Sequence, residues 1–356
     1  MYRIIAFLIG SFCSVIAKAD SLDIKIGQML MVGMSGTTVN DNAPIIQDIK
    51  KGIVGGILYF ENNISPVNSK ATLAKLSRKL NDAANIPLLI SIDQEGGQVN
   101  RLKPKYGFKP TPSAKSVAAK HSDTYTRKVA DDVTEALISC GINLNYAPVL
   151  DIDNPLCPVL GKRQRCYSNI PDSITHHAAI VIEAHHDKGV KTVVKHFPGH
   201  GNSRTDSHLG VVDVTKYWNE KELKPYINLI GDGVVDAVMT AHIVNRKLDP
   251  SGLPATLSKK IVTDLLRNTL KFNGVIISDD MQMHAISSHY GFEESIEKCI
   301  LAGVDILMFS NNIKGAENYK PTNLHATIKG LVKEGKISEA RINESYQRIM
   351  VMKRRR

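Results

Sequence analysis

The feature that most constrains the fold is an alternation of short apolar segments with helical patterns along the whole chain. Eight segments are rich in Val, Ile, Leu and Met, as expected for strands buried on both faces of a parallel sheet. They cover residues 29–32, 54–59, 88–92, 142–150, 191–194, 237–240, 274–277 and 304–309. Eight alternating βα units favour the α/β class, with a single (β/α)8 TIM barrel rather than an open sheet.

Helical patterns lie between most of these segments. Apolar residues recur at three- and four-residue steps within 68–84, 123–140, 171–188, 257–272 and 291–302. Asp172, Ser173 and Ser258 are predicted to cap two of these helices. A last pattern over 337–352 places Ile342 and Ile349 on one side and predicts a C-terminal closing helix.

Most of the predicted strands end in polar side chains. These are Asp93, Asp151, Asp153, Lys195, His196, His242, Asp279, Asp280 and Asn311. Barrel enzymes build their active sites at the carboxyl ends of the strands, where the ends converge on one cleft. A single terminal Asp is more often a helix cap, and we interpret Asp280 in that way. Six strand ends with the same property predict one shared cleft.

Composition and charge narrow the function classes. An apolar share of 43% argues against a disordered chain. The net charge of +10 would suggest a nucleic-acid partner, but Arg3, Lys18 and the last four residues supply six of the basic residues and leave +4 for the rest. No basic stretch interleaved with aromatic residues is present, so we expect no nucleic-acid binding.

The first 19 residues have the pattern of a signal peptide. Arg3 precedes an apolar stretch over 4–16, and Ala17-Lys18-Ala19 is a cleavage site of small residues. The stretch is short for a membrane span, and Phe12 before Cys13 disfavours a lipid anchor. We therefore expect an exported protein, periplasmic or secreted, that does not span the membrane, with one catalytic domain over 20–356.

Export makes the cysteines informative. Cys157 and Cys166 flank a short stretch and could close it as a loop by a disulfide in an oxidising compartment. Cys140 and Cys299 lie near the ends of helical patterns, and we interpret them as small buried apolar residues.

The densest cluster of ionisable residues follows the fifth predicted strand, over 195–208. Lys195 and His196 could donate hydrogen bonds to substrate hydroxyls, and Asp206 could orient His208 for proton transfer near neutral pH. A metal site formed by His196, His200, Asp206 and His208 is the alternative. Their spacing matches no zinc signature, so we predict no metal.

Two further segments carry carboxylates. The seventh strand ends in Asp279 and Asp280, and a carboxylate fixed at a barrel mouth is a candidate nucleophile towards an acetal carbon. Asp93 and Arg101 flank a turn with two glycines and are candidate binders of hydroxyl and carboxylate groups. Glu95 is either a general acid or a turn residue.

These segments together resemble a known family. Lys-His-Phe-Pro-Gly-His-Gly over 195–201 with Thr-Asp-Ser-His over 205–208, Ile-Asp-Gln-Glu-Gly-Gly over 92–97 and Ser-Asp-Asp-Met over 278–281 resemble glycoside hydrolase family 3. The Asp-Ser-His element is similar to its β-N-acetylglucosaminidase branch, of the NagZ type. The resemblance implies a retaining exo-hydrolase that releases terminal β-linked GlcNAc from peptidoglycan fragments on a barrel without metal or organic cofactor.

The resemblance also implies roles for individual residues. Asp279 corresponds to the nucleophile, and His208, oriented by Asp206, to the general acid/base. The sugar-binding residues it implies are Asp93, Arg101, Arg165, Lys195 and His196, with His200 shaping the loop. The expected partner is a small glycan or muropeptide, and the expected state is a monomer.

The sequence departs from the family pattern at two places. Where the family has Gly-x-Arg-Ser-Phe, this chain has Gly-Lys-Arg-Gln-Arg-Cys-Tyr over 161–167, so either Arg163 or Arg165 is the substrate-binding arginine, and we prefer Arg165. Relatives in Gram-negative bacteria are usually cytoplasmic recycling enzymes, whereas this chain carries an export signal.

Other activities remain as alternatives. A β-glucosidase or xylosidase of the same family is disfavoured by the Asp-Ser-His element. A GlcNAc phosphorylase is conceivable because a neutral imidazole base repels phosphate less than a carboxylate does. A non-catalytic glycan-binding barrel is disfavoured by the single tryptophan, since aromatic rings commonly stack on sugars.

Overall fold

Eight parallel strands close into a barrel in the computed structural model, which describes residues 21–205, 210–312 and 319–354. The strands are β1 (Leu30–Gly33), β2 (Gly56–Tyr59), β3 (Leu89–Ile92), β4 (Leu144–Asn145), β5 (Lys191–Phe197), β6 (Ala237–Thr240), β7 (Val275–Asp280) and β8 (Ile306–Phe309). Each strand pairs with its neighbours in chain order, and β8 pairs with β1, with Leu30 opposite Leu307. The predicted (β/α)8 barrel is confirmed.

Helices surround the barrel. They are α1 (Leu22–Gln28), α2 (Pro44–Lys50), α3 (Ser69–Asp82), α4 (Ala114–Ala118), α5 (Asp123–Ser139), α6 (Pro171–His186), α7 (Lys224–Gly231), α8 (His284–Ser287), α9 (Phe292–Ala302), α10 (Pro321–Lys333) and α11 (Glu339–Arg354). A π-helix spans Lys260–Thr269, and a short parallel pair joins Val212–Asp213 to Ile243–Val244. No helix in these described ranges is long and apolar enough to cross a membrane.

The barrel strands are buried on both faces, which explains their nearly continuous apolar sequences. Every residue of β1, β2, β3, β6 and β8 is buried. The seam between the first and last strands also requires a residue without a side chain. A Cβ atom at Gly33 would lie 1.7 Å from the carbonyl oxygen of Ser310, so only glycine fits the end of β1.

The predicted fourth strand and the predicted cap of the helix that begins at Pro171 differ from the structure. β4 covers only two residues of the predicted 142–150 segment, since Pro148 has no N–H for the strand ladder. Helix α6 is capped at Ile170 without a side-chain bond, because Pro171 begins the helix and leaves Asp172 in its first turn. The cap predictions for Asp172 and Ser173 were therefore wrong, whereas Ser258 Oγ does accept a hydrogen bond from Ile261 N (3.1 Å).

The four cysteines among the described residues are buried free thiols, including Cys140 and Cys299 as predicted. The disulfide between Cys157 and Cys166 was a wrong prediction. Both side chains pack in an apolar cluster with Val149, Val159 and Leu160. Cys157 Sγ instead contacts Ser203 Oγ at 3.1 Å and the carbonyl oxygen of His200 at 3.7 Å.

Asp305, at the start of β8, joins the closing helix to the barrel. Its buried carboxylate accepts hydrogen bonds from Ile276 N of β7 (2.9 Å) and Ser345 Oγ of α11 (2.8 Å). The guanidinium of Arg267 also bonds it, and Arg348 Nη1 of α11 lies 3.2 Å away. This one carboxylate therefore holds β7, β8, the π-helix and α11 together.

We predict that Asp305→Asn lowers the free energy of unfolding by about 3–5 kcal/mol, because it keeps the shape and leaves buried guanidinium groups without their counter-ion. Urea unfolding measures the loss. Glu344→Gln is the matched control, since the exposed Glu344 carboxylate lies 4.0 Å from the same Arg348 and an exposed pair contributes little. Equal stabilities of the two variants would contradict the assignment of Asp305 as a structural hub.

Candidate active site

A pocket of about 230 Å³ opens at the carboxyl ends of the barrel strands. Its ionisable lining consists of Asp93, Arg101, Arg163, Arg165, Lys195, His196, His200, Asp279 and Asp280. Leu58, Phe60, Met239, Met283 and Met308 supply apolar surface. The structure thus brings six of the predicted site residues together. The other two, Asp206 and His208, lie outside the described residues.

Lys195 is the central cation of the pocket. It lies in β5 with a side chain only 2% exposed, and its Nζ is 2.7 Å from Asp93 Oδ1 and 2.6 Å from Glu95 Oε1. Burial alone would lower the pKa of Lys195, but the two carboxylates outweigh it and the pKa is raised. Lys195 therefore stays charged and keeps Asp93 oriented at the pocket wall.

Arg101 completes the cluster around Asp93. Its Nη2 lies 3.7 Å from Asp93 Oδ2, and its guanidinium carbon lies 5.5 Å from the centre of the Phe60 ring. Its Nε is a buried donor that has no hydrogen-bond partner among the residues that the structure describes. A buried donor without a partner is costly, so this atom suits a ligand oxygen.

Arg165 extends this cluster through a two-point contact with Glu95, the second carboxylate partner of Lys195. Its Nε is 2.8 Å from Glu95 Oε2, and its Nη2 is 2.7 Å from Glu95 Oε1. Burial would raise the pKa of Glu95, but Arg165 and Lys195 hold it well below its usual range. Glu95 therefore carries no proton to donate at neutral pH, and the general-acid interpretation of this residue was wrong.

The two arginine alternatives differ in their burial. Arg165 is buried in the wall with a side chain 10% exposed, whereas Arg163 is exposed at the rim. Both line the pocket. Burial and the fixed guanidinium plane favour Arg165 as the sugar-binding residue, in keeping with the sequence preference.

Asp151 orients the two histidines at the end of β5, His196 in the strand and His200 just after it. Its buried carboxylate accepts hydrogen bonds from His196 Nδ1 (2.6 Å), His196 N (3.1 Å) and His200 N (2.6 Å). His196 Nε2 in turn accepts from Arg165 Nη2 at 3.3 Å, which assigns the neutral tautomer with the proton on Nδ1. Sequence reasoning noted Asp151 only as a polar strand end and missed this orienting role.

The loop after His196 is held by a hydrogen bond within the loop and by a hydrogen bond to Glu222. His200 is buried, and burial lowers its pKa to about 4, so its ring is neutral and pairs through Nδ1 with Ser203 Oγ (2.8 Å). Glu222, which sequence reasoning also missed, accepts from Gly201 N at 3.0 Å. No strand-end signal marks Glu222, because it lies in a short 3-10 helix (Glu220–Leu223).

Asp279 and Asp280 end β7 with different environments. Asp279 is half-buried and faces the pocket, and its Oδ1 accepts a hydrogen bond from Asp280 N at 2.8 Å. Asp280 is buried and accepts from the hydroxyl of Ser310 and from Gln282 N (3.1 Å). Asp280 therefore ties the turn that follows β7 to Ser310 at the end of β8. Its interpretation as a helix cap was wrong, because Met283 occupies the cap position of α8.

Within the described ranges, no group of three or more His, Cys, Asp or Glu side chains is arranged to hold a metal ion. Two members of the alternative metal set, Asp206 and His208, lie outside those ranges.

Residues 21–352 match the model of the glycosyl hydrolase family 3 N-terminal domain. The chain is 34% identical over 266 residues to a beta-hexosaminidase of Tolumonas auensis, covering 74% of this chain and 77% of that protein. It is 36% identical, with a TM-score of 0.86, to a glycoside hydrolase family 3 beta-N-acetylglucosaminidase structure from Paenibacillus sp., covering 95% of this chain.

A beta-N-acetylhexosaminidase structure from Beutenbergia cavernae gives a TM-score of 0.83 at 27% identity, covering 94% of this chain and 99% of that one. The chain spans 63% of the Paenibacillus chain, less than two thirds of its length. The barrel fold is therefore shared with proteins that carry hexosaminidase names.

We predict that Asp280→Asn changes the pH dependence of stability. Burial raises the pKa of Asp280 to about 6 from 3.8, so the folded state holds this proton more tightly than the unfolded state does. This contribution to stability is complete below the unfolded pKa and is lost as pH rises through the folded one. The free energy of unfolding of the wild type minus that of the variant should fall by about 3 kcal/mol between about pH 4 and 6.

Urea unfolding of both proteins across that pH range measures the difference. A difference that stays constant with pH would contradict the raised pKa.

Proposed function

This chain belongs to glycosyl hydrolase family 3 as a beta-hexosaminidase, and we propose that it is a retaining exo-β-N-acetylglucosaminidase acting on peptidoglycan fragments. The observation that carries the proposal is that a candidate nucleophile and a charged sugar-binding cluster line the same pocket. The nucleophile is the Asp279 carboxylate, which accepts a hydrogen bond from Asp280 N, and the cluster consists of Lys195, Asp93 and Arg101.

The charged cluster suits a sugar ring. Asp93 offers carboxylate oxygens to hydroxyl groups, and Lys195 and Arg101 offer charged N–H donors to hydroxyl oxygens, which make the stronger class of hydrogen bond. A substrate oxygen could accept the hydrogen bond that the buried Arg101 Nε offers. The apolar side chains of Leu58, Met239 and Met308 complete the pocket.

The proposed first step is attack of Asp279 on the anomeric carbon of terminal GlcNAc. The hydrogen bond from Asp280 N orients the carboxylate that attacks. The bond to the leaving oxygen breaks as protonated His208 donates its proton to that oxygen, and a covalent glycosyl–Asp279 ester forms.

The second step releases the sugar. Neutral His208 removes a proton from water, the resulting hydroxide attacks the anomeric carbon, and the ester bond to Asp279 breaks. GlcNAc leaves with its β configuration retained, and His208 is again protonated. Asp206 would orient the imidazole and stabilise its cationic form.

The wall substrate and the location of the enzyme rest on the leader pattern over 1–19. We propose that the protein is cleaved after Ala19, exported, and acts on wall material outside the cytoplasm. N-terminal sequencing of protein from the periplasm or the medium should give a sequence that begins at Asp20, and an uncleaved cytosolic chain would refute export.

Mass spectrometry of muropeptides treated with the enzyme should show loss of terminal GlcNAc. Muropeptides that stay intact would refute the proposal that the substrate is wall material.

We predict that Asp279→Ala lowers turnover of an aryl β-N-acetylglucosaminide by about a thousandfold or more, because no covalent intermediate can form. Asp232→Ala, at an exposed aspartate after α7, is the control and should match the wild type. NMR of the wild-type reaction should show the β anomer first. An α anomer, or near-normal turnover by Asp279→Ala, would sink the nucleophile assignment.

We predict that His208→Ala acts selectively on substrates with poor leaving groups. General-acid help is worth about a hundredfold or more for a sugar leaving group and little for dinitrophenolate, which needs no proton. The values of kcat/KM for chitobiose and for a dinitrophenyl β-N-acetylglucosaminide give the comparison, because kcat/KM reports the first step and not the second, in which His208 is the base for both substrates. Equal losses on the two substrates would count against His208 as the acid.

A further inference from the structure

Glu222 is a buried carboxyl group that the reaction steps above do not use. Its side chain is almost completely buried, and it does not line the pocket. In the chain it follows the segment 195–208, which we call the catalytic loop, and it lies just before α7. A buried carboxyl is costly unless it is hydrogen-bonded, so its contacts indicate what it is for.

The loop wraps around this carboxyl. Gly201 N donates to Glu222 Oε2 at 3.0 Å, and Asn202 Nδ2 donates to Glu222 Oε1 at 2.7 Å. At Gly199, which has a φ of 113°, a Cβ atom would lie 2.5 Å from both Glu222 Cβ and Glu222 Oε2. The backbone over 199–202 therefore follows the surface of one side chain, and Gly199 permits the close approach.

Two other contacts hold the same stretch. Trp218 Nε1 donates to the carbonyl oxygen of Pro198 at 2.9 Å, and Asn154 Nδ2 donates to Asn202 Oδ1 at 2.8 Å. Asp151 holds the preceding residues through His200 N. The loop thus leaves β5 on a fixed path, and the contacts with Glu222 hold it at Gly201 and Asn202, the latter four residues before Asp206.

We propose that Glu222 is a positioning residue for the general acid: by fixing the loop at Gly201 and Asn202, it sets where Asp206 and His208 stand relative to the leaving oxygen. This inference rests on the proposed function, since it needs His208 as the acid. Glu222 touches neither the substrate nor the reacting atoms, and its effect passes along the chain.

The consequence is a selective kinetic defect. A shift of about 1 Å in a catalytic group can cost about a hundredfold in rate. The sugar-binding groups are held independently, because Lys195 pairs with Asp93 and Glu95, and Asp279 is held by Asp280 N. Loss of the Glu222 contacts should therefore impair proton donation and leave sugar binding unchanged.

The test compares Glu222→Gln and Asn202→Ala with the wild type on chitobiose and on a dinitrophenyl β-N-acetylglucosaminide. Glu222→Gln replaces one acceptor oxygen with a donor, and Asn202→Ala removes both the donor to Glu222 and the acceptor for Asn154 at a half-buried position. The quantity to compare is kcat/KM, which reports the first step alone, because His208 also acts as the base of the second step on both substrates. We expect kcat/KM on chitobiose to fall about tenfold or more, kcat/KM on the dinitrophenyl substrate to fall less than about twofold, and inhibition by GlcNAc to be unchanged.

Asp236→Asn is the matched control. Asp236 is also buried and also accepts backbone and side-chain hydrogen bonds, from Thr192 N (3.0 Å), His186 Nε2 (2.6 Å) and Thr192 Oγ1 (3.4 Å). It immediately precedes β6, at the end of the barrel opposite the pocket. Any effect of lost stability on activity should therefore appear in this variant equally on both substrates.

The inference is overturned if the Glu222 and Asn202 variants lose activity equally on both substrates, as the control does, or lose none on either. Asn202→Ala decides the matter alone if Glu222→Gln does not fold. A wild-type enzyme that releases no GlcNAc from either substrate would refute the proposed function itself, a result distinguishable from unselective losses in the variants.

Discussion

The requirement that buried charges be paired organises this active site. Lys195 is inside the barrel mouth, where an ammonium group without counter-ions would be strongly destabilising. Its two carboxylate partners come from the loop after β3, and one of them, Glu95, is also bonded by Arg165 from the loop after β4. Arg165 in turn fixes His196, which Asp151 orients from its other side. The site is therefore one connected network rather than a set of separate ligands.

Much of this arrangement was predictable from local signals. Strands buried on both faces are apolar throughout, so the eight strands were visible as short runs of Val, Ile and Leu, and their polar ends marked Asp93, Lys195 and Asp279 as neighbours. The pairings between side chains were not predictable, because they depend on the paths of the loops that follow the strands. Glu95 shows this: its sequence position allowed a proton donor, whereas two adjacent cations keep it ionised.

The features that sequence reasoning missed have no period and no motif spacing. Asp151 and Glu222 act on backbone N–H groups of a loop whose path is irregular, so nothing in their neighbours along the chain identifies their targets. Spacing and compartment alone left a disulfide between Cys157 and Cys166 open. Both are free thiols in the structure and pack in one apolar cluster, where Cys157 also contacts Ser203. Burial, which decided each of these cases, is a property of the folded chain.

The seam of the barrel has a consequence for the order of folding. Leu30 pairs with Leu307, and the Asp305 carboxylate beside that seam is neutralised by residues of the last helix, including Arg348. Nearly the whole polypeptide must therefore have left the ribosome before the first strand can pair with the last, although its other edge pairs with the nearby β2. Contacts between such distant parts of a chain form slowly, so closure of the barrel is expected to be a late step of folding.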